Sequence, residues 1–212
     1  MHVNSHRSHD TTLEGTGRLE AFSDGVIAIV VTLLVLEIRV PLIRELTNAA
    51  ALSALVTIAP KLVGFFISFL TVAIFWVNHH HFFHPVAKSD GALLWYNNHL
   101  LFWLAVIPFV TAFVGDYPTI PLVVAIYGFV LFMAALAFTL MSRHVFFRSA
   151  LLPESISVTT RTLQFRRAGI GVIVYGASVF AAFLHPYIAL AIFVMVPLYY
   201  FLPSRIEEEV TG

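Results

Sequence analysis

The sequence predicts an all-α integral membrane protein with six transmembrane helices, and three observations predict it. Of 212 residues, 59% are hydrophobic and 11% charged, against about 45–50% and about 25% in soluble domains. Apolar surface in that excess needs lipid as its solvent. Apolar stretches also recur at lengths close to the roughly 20 residues that cross a bilayer as a helix. Finally, the polar and basic residues gather between those stretches. Twelve basic and twelve acidic residues cancel, so no overall charge draws nucleic acid. Cysteine is absent, which excludes disulfides and thiolate metal sites.

Residues 1–17 are polar and lack the apolar core of a signal peptide. They read as a disordered cytoplasmic tail. Residues 18–203 read as one helical transmembrane domain, and 204–212 as a second tail ending in the acidic run Glu207-Glu208-Glu209. Six segments are expected to span, at 22–38, 52–77, 92–114, 120–141, 168–184 and 186–202. The first opens on Ser23 and Asp24. The second contains Pro60 and Lys61, so its beginning reads as a separate interfacial piece. Only His185-Pro186 separates the last two, which makes them antiparallel neighbours. The connection 142–167, with Pro153-Glu154-Ser155, is expected to be partly irregular.

Basic residues set the orientation. With the N-terminus inside, the inner segments hold Arg7, Arg18, Lys88, Arg143, Arg148, Arg161, Arg166, Arg167 and Arg205, and the outer segments hold Arg39 and Arg44. Both termini are therefore expected in the cytoplasm of a multi-pass cell-membrane protein.

Polar side chains inside spans face protein or water, because facing lipid is costly. Three groups qualify. Arg18-Leu19-Glu20-Ala21-Phe22-Ser23-Asp24 begins the first span. Ser23 or Asp24 could cap that helix and complement its dipole, and a buried hydrogen-bonded cluster is equally compatible. Residues 75–84 read FWVNHHHFFH and close the second span. His80 and His84 stand at i, i+4, the spacing that puts two imidazoles on one helix face as metal ligands. No acidic residue lies beside them, so packing is the simpler reading. Asn97-Asn98-His99, with Trp103 a turn beyond, begins the third span, and side-chain amides there can bridge helices. All three groups share one depth, so a single network can join them. Within the first span, Ile29, Thr32 and Leu36 fall on one helical stripe. Such a stripe suits a buried helix or one lining a narrow aqueous path.

The RxxxFSD pattern at 18–24, the FWxxHH-like stretch at 75–80 and the Asn-rich start of the third span resemble the transmembrane protein 175 family of cation channels. The likeness covers essentially the whole spanning region. Animal members carry two six-helix repeats; one repeat here implies a prokaryotic member and a homotetramer. The resemblance implies a potassium-permeable channel, with weaker sodium permeation, whose pore is lined by helix one of each subunit. It implies an apolar constriction at Ile29, a hydroxyl ring at Thr32 and an apolar ring at Leu36. It also implies a hydrogen-bond network of Arg18, Phe22, Ser23 and Asp24 with Trp76, His80 and Asn98. His79 and His81 remain alternatives to His80, and Asn97 to Asn98. The carbonyl filter of ordinary potassium channels is absent: no TVGYG segment occurs, and Phe113-Val-Gly-Asp-Tyr117 lies in too short a connection for a pore loop.

The expected function is passive ion conduction, with no catalytic residue, resident metal or cofactor. Two other readings stay open. One is a metal transporter or membrane metalloenzyme built on the cluster from His79 to His84. The other is a proton-coupled transporter using Asp24 and the histidines.

Overall fold

The computed structural model describes residues 15–148, 151–153 and 157–201. It contains six helices: α1 (Gly17–Leu36), α2 (Asn48–Phe83), α3 (Gly91–Asp116), α4 (Pro121–Phe147), α5 (Val158–Leu184) and α6 (Pro186–Phe201). Five are long and apolar enough to cross a membrane; α6 is apolar and 16 residues long as described. Of the expected tails at 1–17 and 204–212, residues 1–14 and 204–212 lie outside the described residues, while Thr16 is buried and Gly17 already begins α1.

Three spans differ most from their sequence boundaries. The second is one unbroken helix of 36 residues, with Pro60 inside it. At 1.5 Å per residue it is about 54 Å long, well beyond a hydrocarbon core of about 30 Å. Proline costs one hydrogen bond, to the carbonyl four residues back. The helix nonetheless continues through it, and Lys61, just past it, is tied to Asp116 at the end of α3. Gly115 permits the approach, since a Cβ there would stand 3.2 Å from the Lys61 Cγ. The others are α4, which runs six residues past its expected end, and α5, which starts at Val158, ten residues before its expected start; together they shorten the expected 142–167 connection to 148–157.

Helix starts carry their own signals. Thr47, Asp90 and Ser157 each accept a backbone amide three residues on, as N-caps do. Proline opens α4 and α6, a position where its missing amide costs nothing. His185 is extended between α5 and α6, so the two helices fold back on each other.

Buried residues concentrate on α3 and α4, with α1, α2, α5 and α6 around them. Helices in lipid gain little from apolar burial and associate through close packing and inter-helix hydrogen bonds. Both are present. Between α4 and α5 a Cβ at Gly171 would meet the Ala135 Cβ at 3.3 Å, and one at Gly128 would meet the Ser178 Oγ at 2.8 Å. Between α2, α3 and α4, Ser68 lies 2.8 Å from the Tyr127 hydroxyl and 2.7 Å from the Thr111 Oγ1, all three buried. This second polar knot joins the last turns of α3 and the first turns of α4 to α2, and it was not evident in the sequence, where three isolated hydroxyls gave no pattern.

Candidate functional site

Helix α1 packs on α2 and α3 through Leu19, Ser23, Ile27, Val30 and Leu34. These recur at three and four residues, one helical face. On the other side Arg18, Phe22, Gly25, Ile29, Thr32 and Leu36 are all exposed. At 3.6 residues per turn those six fall within a sector of about 80°. Ile29 is 59% exposed and Val30 only 2%. The Ile29, Thr32 and Leu36 stripe therefore belongs to the side of α1 that the described residues leave uncovered.

Thr32 has a defined polarity. Its hydroxyl donates to the carbonyl oxygen of Ile29 at 2.8 Å. With the hydrogen committed to the helix, the oxygen lone pairs remain for a donor or cation outside it. No ion-coordinating carbonyl of α1 is freed, because the backbone stays helical from Gly17 to Leu36.

The polar groups at the Arg18 end form a directed chain across three helices. The Ser23 hydroxyl donates to the Leu19 carbonyl at 2.8 Å. Having spent its hydrogen, Ser23 accepts from the Asn97 Nδ2 at 2.9 Å. The Asn97 Oδ1 then faces the His79 Nε2 at 2.9 Å. An amide oxygen can only accept, so His79 carries its proton on Nε2. Ser23, Asn97 and His79 are buried, at 0%, 0% and 1% exposure. Beside them the Trp76 indole donates to the Asp24 Oδ1 at 2.9 Å, at the exposed edge of α1.

This selects between alternatives that the sequence left open and moves two positions from His80 and Asn98. The chain runs through His79 and Asn97, one residue before His80 and Asn98. The reason is helical phase. Asn97 shares the inward stripe of Leu93, Leu100 and Leu104, and His79 that of Ser68, Val72, Phe75 and Phe82. One residue later, about 100° round the helix, His80 and Asn98 are exposed. His80 instead stacks against Trp76, with ring centroids 6.1 Å apart. His81 is exposed as well, and His99 accepts from the Trp103 indole at 2.9 Å within α3. Arg18 and Phe22 are exposed, and among the described residues Arg18 makes no hydrogen bond or ion pair.

Among the described residues no three His, Asp or Glu side chains come close enough together to hold a metal ion. His80 and His84 keep their i, i+4 spacing on α2 and its cap but gather no third ligand.

Comparison with known proteins gives a consistent picture. A family model described as endosomal/lysosomal potassium channel TMEM175 matches residues 18–108. That stretch holds α1, α2 and most of α3, hence the whole polar chain. A potassium channel of Chryseobacterium sp. (strain P1-3) is 38% identical over 197 residues, covering 91% of this chain and 96% of the relative. A potassium channel of Streptomyces collinus is 33% identical over 189 residues, covering 87% and 91%. The crystal structure of a lysosomal potassium-selective channel TMEM175 homolog from Chamaesiphon minutus superposes with a TM-score of 0.75. It is 31% identical and covers 88% of this chain and 96% of that one.

Proposed function

The chain belongs to the TMEM175 family of potassium channels, and from that premise we propose that four copies assemble around a pore lined by α1. The observation that carries this reading is the uncovered stripe of Ile29, Thr32 and Leu36, opposite the packed face of α1. One chain cannot enclose a pore with one helix. Cyclic repetition brings identical stripes to a common axis, as the family resemblance implies for a single-repeat member.

In that assembly the Ile29 side chains form the constriction. An apolar ring gives a passing ion nothing in place of its hydration shell, so it is the main barrier and closes by excluding water. Thr32, three residues further along, presents hydroxyl lone pairs that replace part of the lost water. Leu36 forms a second apolar ring beyond it. Potassium holds its water less tightly than sodium, so it pays the smaller dehydration cost at Ile29. The preference is modest, because neither ring builds a rigid carbonyl cage. The chain from Ser23 through Asn97 to His79, with the Asp24 to Trp76 bond, holds α1 at the rotation that turns Ile29 inward. Both termini lie in the cytoplasm on the basic-residue asymmetry, and a reporter fused to the C-terminus is active only there.

Transport coupled to protons or metal ions is not favoured, since Asp24 and His79 are each engaged in fixed hydrogen bonds. Reconstitution in liposomes tests the reading. Potassium flux in the absence of a proton gradient, exceeding sodium flux, is the expected result. Flux that requires a proton gradient would overturn passive conduction.

A further inference from the structure

We propose that an open cleft between the end of α4 and the start of α3 binds the phosphate headgroup of an anionic membrane lipid. The cleft has a volume of about 360 Å³ and is lined by Tyr96, Leu140, Arg143, His144, Phe147 and Arg148. None of these residues belongs to the exposed stripe of α1 or to the polar chain described above.

Its floor is built and rigid. The His144 Nε2 lies 3.1 Å from each oxygen of Asp90. Asp90 also caps α3 through the Leu93 amide at 2.8 Å, and the Tyr96 ring packs on His144 at 5.2 Å. Arg148 reaches the same carboxylate through its Nε at 3.5 Å, a contact that does not use its terminal nitrogens. Arg143 is exposed and makes no ion pair among the described residues. Two guanidinium groups thus face one cleft while the single carboxylate stands behind them, which leaves the lining positive.

The walls select the kind of anion. Guanidinium groups recognise phosphate oxygens by paired hydrogen bonds. Leu140 and the 62%-exposed Phe147 add an apolar side from which a free inorganic anion gains nothing. A phosphate attached to acyl chains uses both. Depth agrees: the cleft occupies the last two turns of a helix of 27 residues, about 40 Å long, which puts it at the headgroup layer of a bilayer. Basic pockets between helices at that level hold anionic headgroups.

Thermal unfolding of the purified assembled protein in detergent, titrated with phosphatidylglycerol, phosphatidylcholine or glycerol phosphate, tests the proposal. Phosphatidylglycerol is expected to raise the midpoint saturably, and the other two are not. Arg143→Gln removes one charged partner without touching the Asp90 contacts, so about tenfold more phosphatidylglycerol should then be needed for half the effect. An equal rise with phosphatidylcholine, or an unchanged half-saturation in Arg143→Gln, overturns the site. An equal rise with glycerol phosphate overturns the lipid and leaves a site for soluble phosphates. Ion flux is not a readout here, so the outcome is independent of the channel reading.

Discussion

Replacing Asn97 with alanine removes the middle of the polar chain. The side chain spans two contacts of 2.9 Å, to Ser23 on α1 and to His79 on α2. Ser23 keeps its bond to the Leu19 carbonyl, so the stranded group is the buried Nε2–H of His79. Inter-helix hydrogen bonds in membrane proteins average about 0.6 kcal/mol and reach about 1.7 kcal/mol. Two of them give a loss of about 1–3 kcal/mol. Asn98→Ala is the control, because Asn98 is exposed and such surface changes stay within about 0.5 kcal/mol. Reversible unfolding in mixed micelles against rising denaturing detergent measures both. Asn97→Ala is expected to unfold earlier and Asn98→Ala to match the parent. Equal destabilisation by the two variants would refute the assignment of the chain to Asn97.

Other expectations follow from the same geometry. Ile29→Asn puts polar groups at the proposed constriction and should raise resting potassium leak from liposomes. Thr32→Ala should leave conduction in place while lowering the potassium-to-sodium flux ratio, since only the hydroxyl lone pairs are lost. At Asp90 burial opposes the charge, but the Leu93 amide, His144 and Arg148 outweigh it and hold the carboxyl below its ordinary 3.8. A lowered folded-state value contributes stability that is complete above 3.8 and lost as pH falls through the still lower folded value. Asp90→Asn keeps a capping side chain and loses only the charge. Its deficit in unfolding midpoint should shrink as pH falls below 3.8 and vanish only below the still lower folded value, whereas Asp90→Ala should retain a capping loss of about 1 kcal/mol at every pH.

Much of this architecture was legible in the sequence. Span count followed from apolar run length. The spacing of Ile29, Thr32 and Leu36 gave a stripe on α1 but not whether it is buried or exposed. Several boundaries were not legible, among them the start of α5 at Val158, ten residues before its expected place. Pro60 and Lys61 look like a break until Asp116, more than fifty residues later, is seen to hold Lys61. Past Met141, Arg143, His144 and Arg148 look like a loop until Asp90 is found to pair with His144 and Arg148. Nor could residue type resolve the runs His79-His80-His81 and Asn97-Asn98. In a membrane helix the lipid face is as apolar as the packed face, so periodicity is faint. A signal was nonetheless present. Counting back from Asn97 to Leu93 and forward to Leu100 and Leu104 traces a stripe of large apolar residues, whereas Asn98 lies beside Leu94 and Trp95 on the exposed side.

The central claim is that the uncovered face of α1 lines the pore, and cysteine accessibility tests it most directly. The natural chain has no cysteine to interfere. Potassium flux from liposomes is measured for Ile29→Cys and Val30→Cys, before and after a small charged thiol reagent. The account predicts block at Ile29→Cys and no effect at Val30→Cys, which is 2% exposed and packed toward α2 and α3. Block at Val30→Cys with Ile29→Cys inert would mean that α1 is turned the other way. Persistent flux with both inert would mean that ions take a path that α1 does not line.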